Sequence, residues 1–200
     1  TDPVSPAPPA REMTAETPRD ALRLFDLAES CGEGVYALEL RTALSEPLML
    51  RLAQAIAHVR GRSDAKALLL VDGGGSGWHG GRAHCNAAIR AGLFASVAAF
   101  PCPTIAVVPH GATGAGLLLA SLCDMMVAGE AAEYAFPDVD AGLFPGEAED
   151  RVFRARLGDA RADAFLSRMQ ALRGAQLAAL GWACRIVAAD EANAEARLLA

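Results

Sequence analysis

Lysine is almost missing from this chain: Lys66 is the only one, and the formal net charge is -6 over 200 residues. A nucleic-acid partner needs a basic face, so the charge balance argues against one. Metal-ligand spacing is missing too. The five cysteines, Cys31, Cys85, Cys102, Cys123 and Cys184, form no Cys-x-x-Cys pair and lie scattered through apolar segments. Such an odd set reads as reduced, buried thiols, which points to the cytoplasm and to a protein without a metal or other cofactor. No apolar run approaches the length of a bilayer span. Leu117 to Leu122 is far too short, and the N-terminus lacks the charged-then-apolar order of a secretion signal, so no membrane partner is expected.

What the chain does have is apolar mass and glycine. Hydrophobic residues make up 52% and charged ones 21%, enough for one domain with a substantial core. Residues 1–20 carry Pro3, Pro6, Pro8, Pro9 and Pro18, a composition that stays extended and reads as a linker or tail before a domain over 21–200. Leu22 to Leu40 reads as a strand pair around the glycines of Cys31-Gly-Glu-Gly34. Ser45 is a candidate N-cap for a helix with Pro47 in its first turn and an apolar stripe of Leu48, Leu52, Ala55, Ile56 and Val59. Strand, helix, strand, helix and strand then follow over 67–71, 87–100, 104–108, 115–123 and 125–128. A later helix closes at Gly181, before a strand over 182–187. Alternation of this kind gives an α/β fold with right-handed crossovers and strand ends gathered on one side.

Two of those strands end in glycine-rich turns. Thr104-Ile-Ala-Val-Val108 runs through Pro109-His-Gly-Ala-Thr-Gly-Ala-Gly116 into a buried helix, and Lys66-Ala-Leu-Leu-Leu-Val71 runs into Asp72-Gly-Gly-Gly-Ser-Gly-Trp-His-Gly-Gly-Arg-Ala-His84. Small residues let a ligand approach the main chain, and the first N–H groups of a helix have no intrahelical acceptor. Together with the helix dipole, they favour an oxyanion.

Taken with Cys123-Asp-Met-Met-Val-Ala128, Ala132-Glu-Tyr-Ala-Phe-Pro-Asp-Val139, Gly142-Leu-Phe-Pro-Gly146 and Leu172-Arg-Gly-Ala-Gln-Leu-Ala-Ala-Leu-Gly-Trp-Ala-Cys-Arg-Ile-Val187, these turns resemble the crotonase (enoyl-CoA hydratase/isomerase) superfamily from about Leu24 onward. The resemblance implies a crotonase-like ββα spiral with a helical C-terminal region, lacking part of the usual C-terminal helices, and a homotrimer or a place in a larger synthase. It implies an oxyanion hole at the backbone N–H groups of Gly81 and Ala115, with Gly80, Arg82, Gly114 and Gly116 lining the substrate. The family's two catalytic glutamates fall on Leu118 and Asp138. Asp138 is therefore the expected acid/base, with Asp140 and Glu147 as nearby alternatives, and Ala135, Phe136, Leu143 and Phe144 as its apolar surroundings.

His79 and His84 flank Gly81 and are candidates for proton transfer or for holding a substrate carboxylate, against the alternative of solvent-facing loop histidines. Arg82 has the same two readings: a partner for a carboxylate or carrier phosphate, or a surface arginine. His110 is expected to tie down its turn, His58 to lie at the surface, and Cys85 and Cys123 to be structural.

The segment Leu40-Arg-Thr-Ala-Leu-Ser-Glu-Pro47 and the Gly80-Gly81 pair are similar to crotonase-like domains of polyketide β-branching cassettes. That similarity implies an acyl thioester substrate on an acyl carrier protein rather than on CoA, undergoing dehydration, decarboxylation or double-bond isomerisation. Arg82-Ala-His84 stands where the decarboxylases of that group carry Lys. An enzyme of ordinary acyl-CoA metabolism and a catalytically silent binding subunit remain open beside it.

Overall fold

The computed structural model describes residues 21–27, 31–75, 77–136, 146–167, 171–182 and 184–200. In chain order the elements are β1 (Leu22–Asp26), β2 (Val35–Leu40), α1 (Glu46–Arg60), β3 (Ala67–Asp72), β4 (Trp78–Gly80), α2 (Arg82–Arg90), α3 (Leu93–Ala98), β5 (Thr104–Val108), β6 (Ala112–Gly114), α4 (Ala115–Leu122), β7 (Met125–Gly129), β8 (Glu133–Ala135), α5 (Glu147–Leu157), α6 (Asp159–Leu166), β9 (Leu172–Arg173), α7 (Gly174–Ala179), β10 (Cys184–Val187) and α8 (Ala192–Leu199).

Helix α1 forms where the sequence signals it. Ser45 Oγ accepts from the Leu48 N–H at 3.4 Å, and Leu48, Leu52, Ile56 and Val59 are buried on one face. The large sheet has the order β1-β2-β3-β5-β7-β10, antiparallel only between β1 and β2. Strands β3 and β5 are buried along their whole length, as expected for parallel strands covered on both faces. One face packs on α1, α2, α3 and α4; the other carries a smaller core closed by Ala192 and Ala196 of α8. None of the described helices is long and apolar enough to cross a membrane.

Asp124 fixes the junction of α4 and β7. Its carboxylate accepts from the Thr104 N–H at 2.7 Å and from Thr104 Oγ1 at 2.9 Å, while its own N–H donates to Thr104 Oγ1 at 3.0 Å. A second sheet, β4-β6-β8-β9, grows out of the glycine turns. Tyr134 links the two sheets: its hydroxyl donates to the Val108 carbonyl at 2.6 Å and accepts from the Gly129 N–H at 2.8 Å.

One expected element divides. The helix read over 87–100 is two helices, because Gly92 adopts φ +67, a left-handed conformation that ends α2 and redirects the chain into α3. Helix α2 also starts earlier than its apolar pattern suggests, at Arg82, since its first turn is largely exposed.

Candidate active site

Strands β4 and β6 run side by side, with Gly80 opposite Gly114. Each delivers the chain into a helix. Gly81 is the N-cap of α2 and Gly114 the N-cap of α4, and neither helix start receives a side-chain capping bond. Gly114 needs to be glycine, with φ +53 and ψ −120. Two neighbouring helix N-termini therefore present first-turn N–H groups uncapped by side chains, with both dipoles adding positive potential. The residues that follow the Gly80–Gly114 pair are Gly81 on one chain segment and buried Ala115 on the other. Arg82, the first residue of α2, brings a further N–H that the sequence reading overlooked.

The two histidines separate. His79 lies on the exposed face of β4, between buried Trp78 and Gly80, and its Nδ1 is 3.0 Å from Thr113 Oγ1. His84 is half-buried and packs over Gly80: a Cβ on Gly80 would lie 2.8 Å from His84 Cβ and Cγ and 3.3 Å from Ala115 Cβ. Gly80 thus gathers His84 and Ala115 into one place. His110 ties down its turn, its Nδ1 2.9 Å from Asp72 Oδ2, and the same buried carboxylate accepts from the Gly77 N–H at 3.0 Å. His58 is exposed.

Asp138, Asp140, Leu143 and Phe144 lie outside the described residues. Beside them in sequence, Ala135 is half-buried and Phe136 is buried against Phe153, ring centroids 4.9 Å apart. Glu147 is exposed and pairs with Arg151 at 2.7 Å.

A cavity of about 280 Å³ opens between the end of α2, α3, α4 and the start of α5. Ile89, Phe94, Leu118, Leu122 and Val152 make its wall apolar, and Glu149 also lines it. Leu118 sits one helical turn after Ala115. Cys85, on α2, has its thiol pushed up to about 11, first by burial and then by the negative charge of Glu149, with Arg82 pulling the other way. Burial pushes Cys123 up to about 12. Cys31, Cys85, Cys102 and Cys123 are free thiols. Among the described residues no cluster of His, Cys, Asp and Glu could hold a metal ion.

Residues 82–200 match the family model for enoyl-CoA hydratase/isomerase. The chain belongs to that family. A mitochondrial enoyl-CoA hydratase domain-containing protein 2 from Bos taurus is 39% identical over 100 residues, 50% of this chain and 34% of that protein. The chain spans less than half the length of the first curated relatives it matches. An enoyl-CoA hydratase/carnithine racemase from Magnetospirillum magneticum superposes with a TM-score of 0.76 at 20% identity, covering 90% of this chain and 73% of that one. The ECH2 decarboxylase domain of CurF from Lyngbya majuscula gives 0.74 at 22% identity, with 90% and 76% covered. At such identities these structures establish the fold, which is the crotonase fold. Leu118, where the sequence resemblance places one of the family's two glutamates, is buried and apolar.

Glu149 was missed in the sequence. The spacing Gly146-x-x-Glu149 ahead of buried Phe153 is that of a capping box, and it could have drawn attention to this residue.

Proposed function

We propose that this protein is a crotonase-fold enzyme acting on a thioester-linked acyl substrate through an enolate, in polyketide-type biosynthesis. The observation that carries the reading is the pair of uncapped helix N-termini at Gly81 and Ala115, joined by the Gly80–Gly114 pairing of β4 and β6. An enolate places its charge on one oxygen, and two preorganised N–H donors stabilise that charge more than they stabilise the neutral thioester carbonyl. Gly80 and Gly114 keep the approach to those donors open, whereas Gly116, expected from the sequence to line the substrate, is small because it packs on the Trp78 main chain.

Asp138 is the acid/base in this reading. His84, packed beside Ala115, assists it or holds a substrate carboxylate; His79 and Arg82 border the entrance, with Arg82 attracting the anionic end of the substrate or its carrier. Dehydration, decarboxylation and double-bond isomerisation all share this enolate. The resemblance to polyketide β-branching domains favours an acyl carrier protein as the source of the thioester. Enoyl-CoA hydratase/isomerase activity in general acyl-CoA metabolism is the second reading, favoured by the hydratase names of the curated relatives. The reading also includes a homotrimer or a larger synthase as the working assembly.

Two variants test the chemistry. Ala115→Pro removes one donor, and Asp138→Asn removes the titratable group while keeping its shape. Each is expected to slow turnover of an acyl-pantetheine thioester on the order of 100-fold or more, with folding checked by circular dichroism. A folded Ala115→Pro protein turning over at the parent rate overturns the hole. Equal rates for Asp138→Asn overturn the acid/base assignment, and no turnover by the parent on carrier or CoA leaves a silent binding subunit.

A further inference from the structure

We propose that Glu149 is a second proton-transfer residue of this site, acting on the α-carbon of an acyl chain seated in the cavity between α2, α3, α4 and α5. This rests on the thioester reading above.

Among the described residues that line the cavity, Glu149 is the only ionisable one. Three acidic residues stand in the first turn of α5, and the structure treats them differently. Glu147 and Asp150 are paired with arginines one turn on, at 2.7 Å to Arg151 and 2.6 Å to Arg154. Glu149 has no cationic partner among the described residues. Its Oε2 accepts from the Gly146 N–H at 3.1 Å, which fixes the carboxylate and leaves the second oxygen to take a proton. The charge of Glu149 is felt at Cys85, in the first turn of α2, together with that of Arg82. The cavity that Glu149 lines reaches Leu118, one turn after Ala115, and Ile89 of α2, the helix that starts after Gly81. Across the cavity, Leu118 brings no competing group.

In the step, the C–H bond at the α-carbon breaks and the proton passes to the Glu149 carboxylate. The electron pair moves to the thioester oxygen, where the N–H groups of Gly81 and Ala115 receive the charge. Return of the proton to the same carbon restores the thioester, so nothing is oxidised or reduced.

The test is deuterium uptake at the α-carbon of hexanoyl-pantetheine in D2O, followed by mass spectrometry and accompanied by thioester binding and a thermal melt. Wild-type protein is expected to exchange, and Glu149→Gln to exchange on the order of 100-fold more slowly or worse. Gln at this position keeps the capping bond through its amide oxygen, so Tm and binding should hold. A Glu149→Gln variant exchanging at the wild-type rate overturns the role of Glu149 and leaves the thioester reading standing. Loss of exchange matched by loss of binding or a lower Tm makes Glu149 a structural cap, which also overturns it. A wild-type protein that binds without exchanging overturns the inference alone, and one that neither binds nor exchanges overturns both.

Discussion

Cys85 lies between opposite charges, and its protonation follows from what surrounds it. Burial and Glu149 raise its thiol to about 11, and burial, with a smaller contribution from Asp124, takes Cys123 to about 12, both from 9.0. The nucleophile is the thiolate, so both should resist alkylation at pH 8 in the folded protein while half-buried Cys31 and Cys102 react first. Peptide mass mapping after timed iodoacetamide treatment checks this; early labelling of Cys85 would contradict it. The sign of the pH effect is also set. Thiols of the unfolded chain ionise first, so their contribution to stability is intact below pH 9 and is lost as pH rises from there toward 11 to 12. At this scale the sequence showed well which residues are structural: Cys85, Cys123 and His110 lie as their contexts suggested. It did not separate His79 from His84, because alternation along a three-residue strand is too short to reveal which side is covered.

Among the elements, the β4–α4 contact is the tightest part of the site. A Cβ on Gly116 would overlap the carbonyl oxygen of Trp78, a backbone atom with no room to yield. Gly116→Ala should therefore destabilise the fold by roughly 1–3 kcal/mol, read from urea unfolding, although alanine normally favours a helix. Arg156 works at the other end of α4. Its guanidinium donates to the Ser121 carbonyl at 2.7 and 3.1 Å and to the Asp124 carbonyl at 2.8 Å, which binds α5 to the negative end of α4. Arg156→Met should cost about 1–3 kcal/mol in the same assay. The long apolar strands and α1 were legible because their patterns run for several residues. Strands β4, β6, β8 and β9 were not, since two or three residues rich in glycine carry no periodicity; they exist only through the partners that pair with them.

For the whole molecule, charge decides which form of substrate suits it. CoA carries a polyanionic nucleotide, and a protein of net charge -6 must offset that with a local basic cluster. Four arginines that such a cluster could draw on are already engaged: Arg90 with Glu46 at 2.7 Å, Arg151 with Glu147, Arg154 with Asp150 and Asp163, and Arg156 with main-chain carbonyls. Among the described residues they form no unpaired basic patch. The same acyl group is accordingly expected to show a higher kcat/KM on a phosphopantetheinyl carrier than on CoA in paired steady-state assays, and equal or better values with CoA would favour ordinary acyl-CoA metabolism. The α/β class was legible in the order of its elements, whereas the separate second sheet was not, because it depends on pairings between distant glycine turns.

The order of the large sheet also governs how the chain comes together in time. Only β1 and β2 pair as a hairpin; every other pairing in that sheet waits for at least one helix to be made between its strands. Strand β7 gains its outer neighbour only when β10 arrives, so a chain emerging from the ribosome shows a bare apolar edge at Met125–Gly129 until synthesis has passed Val187. Refolding is therefore expected to wait on the arrival of the last strand beside one from the middle of the sequence.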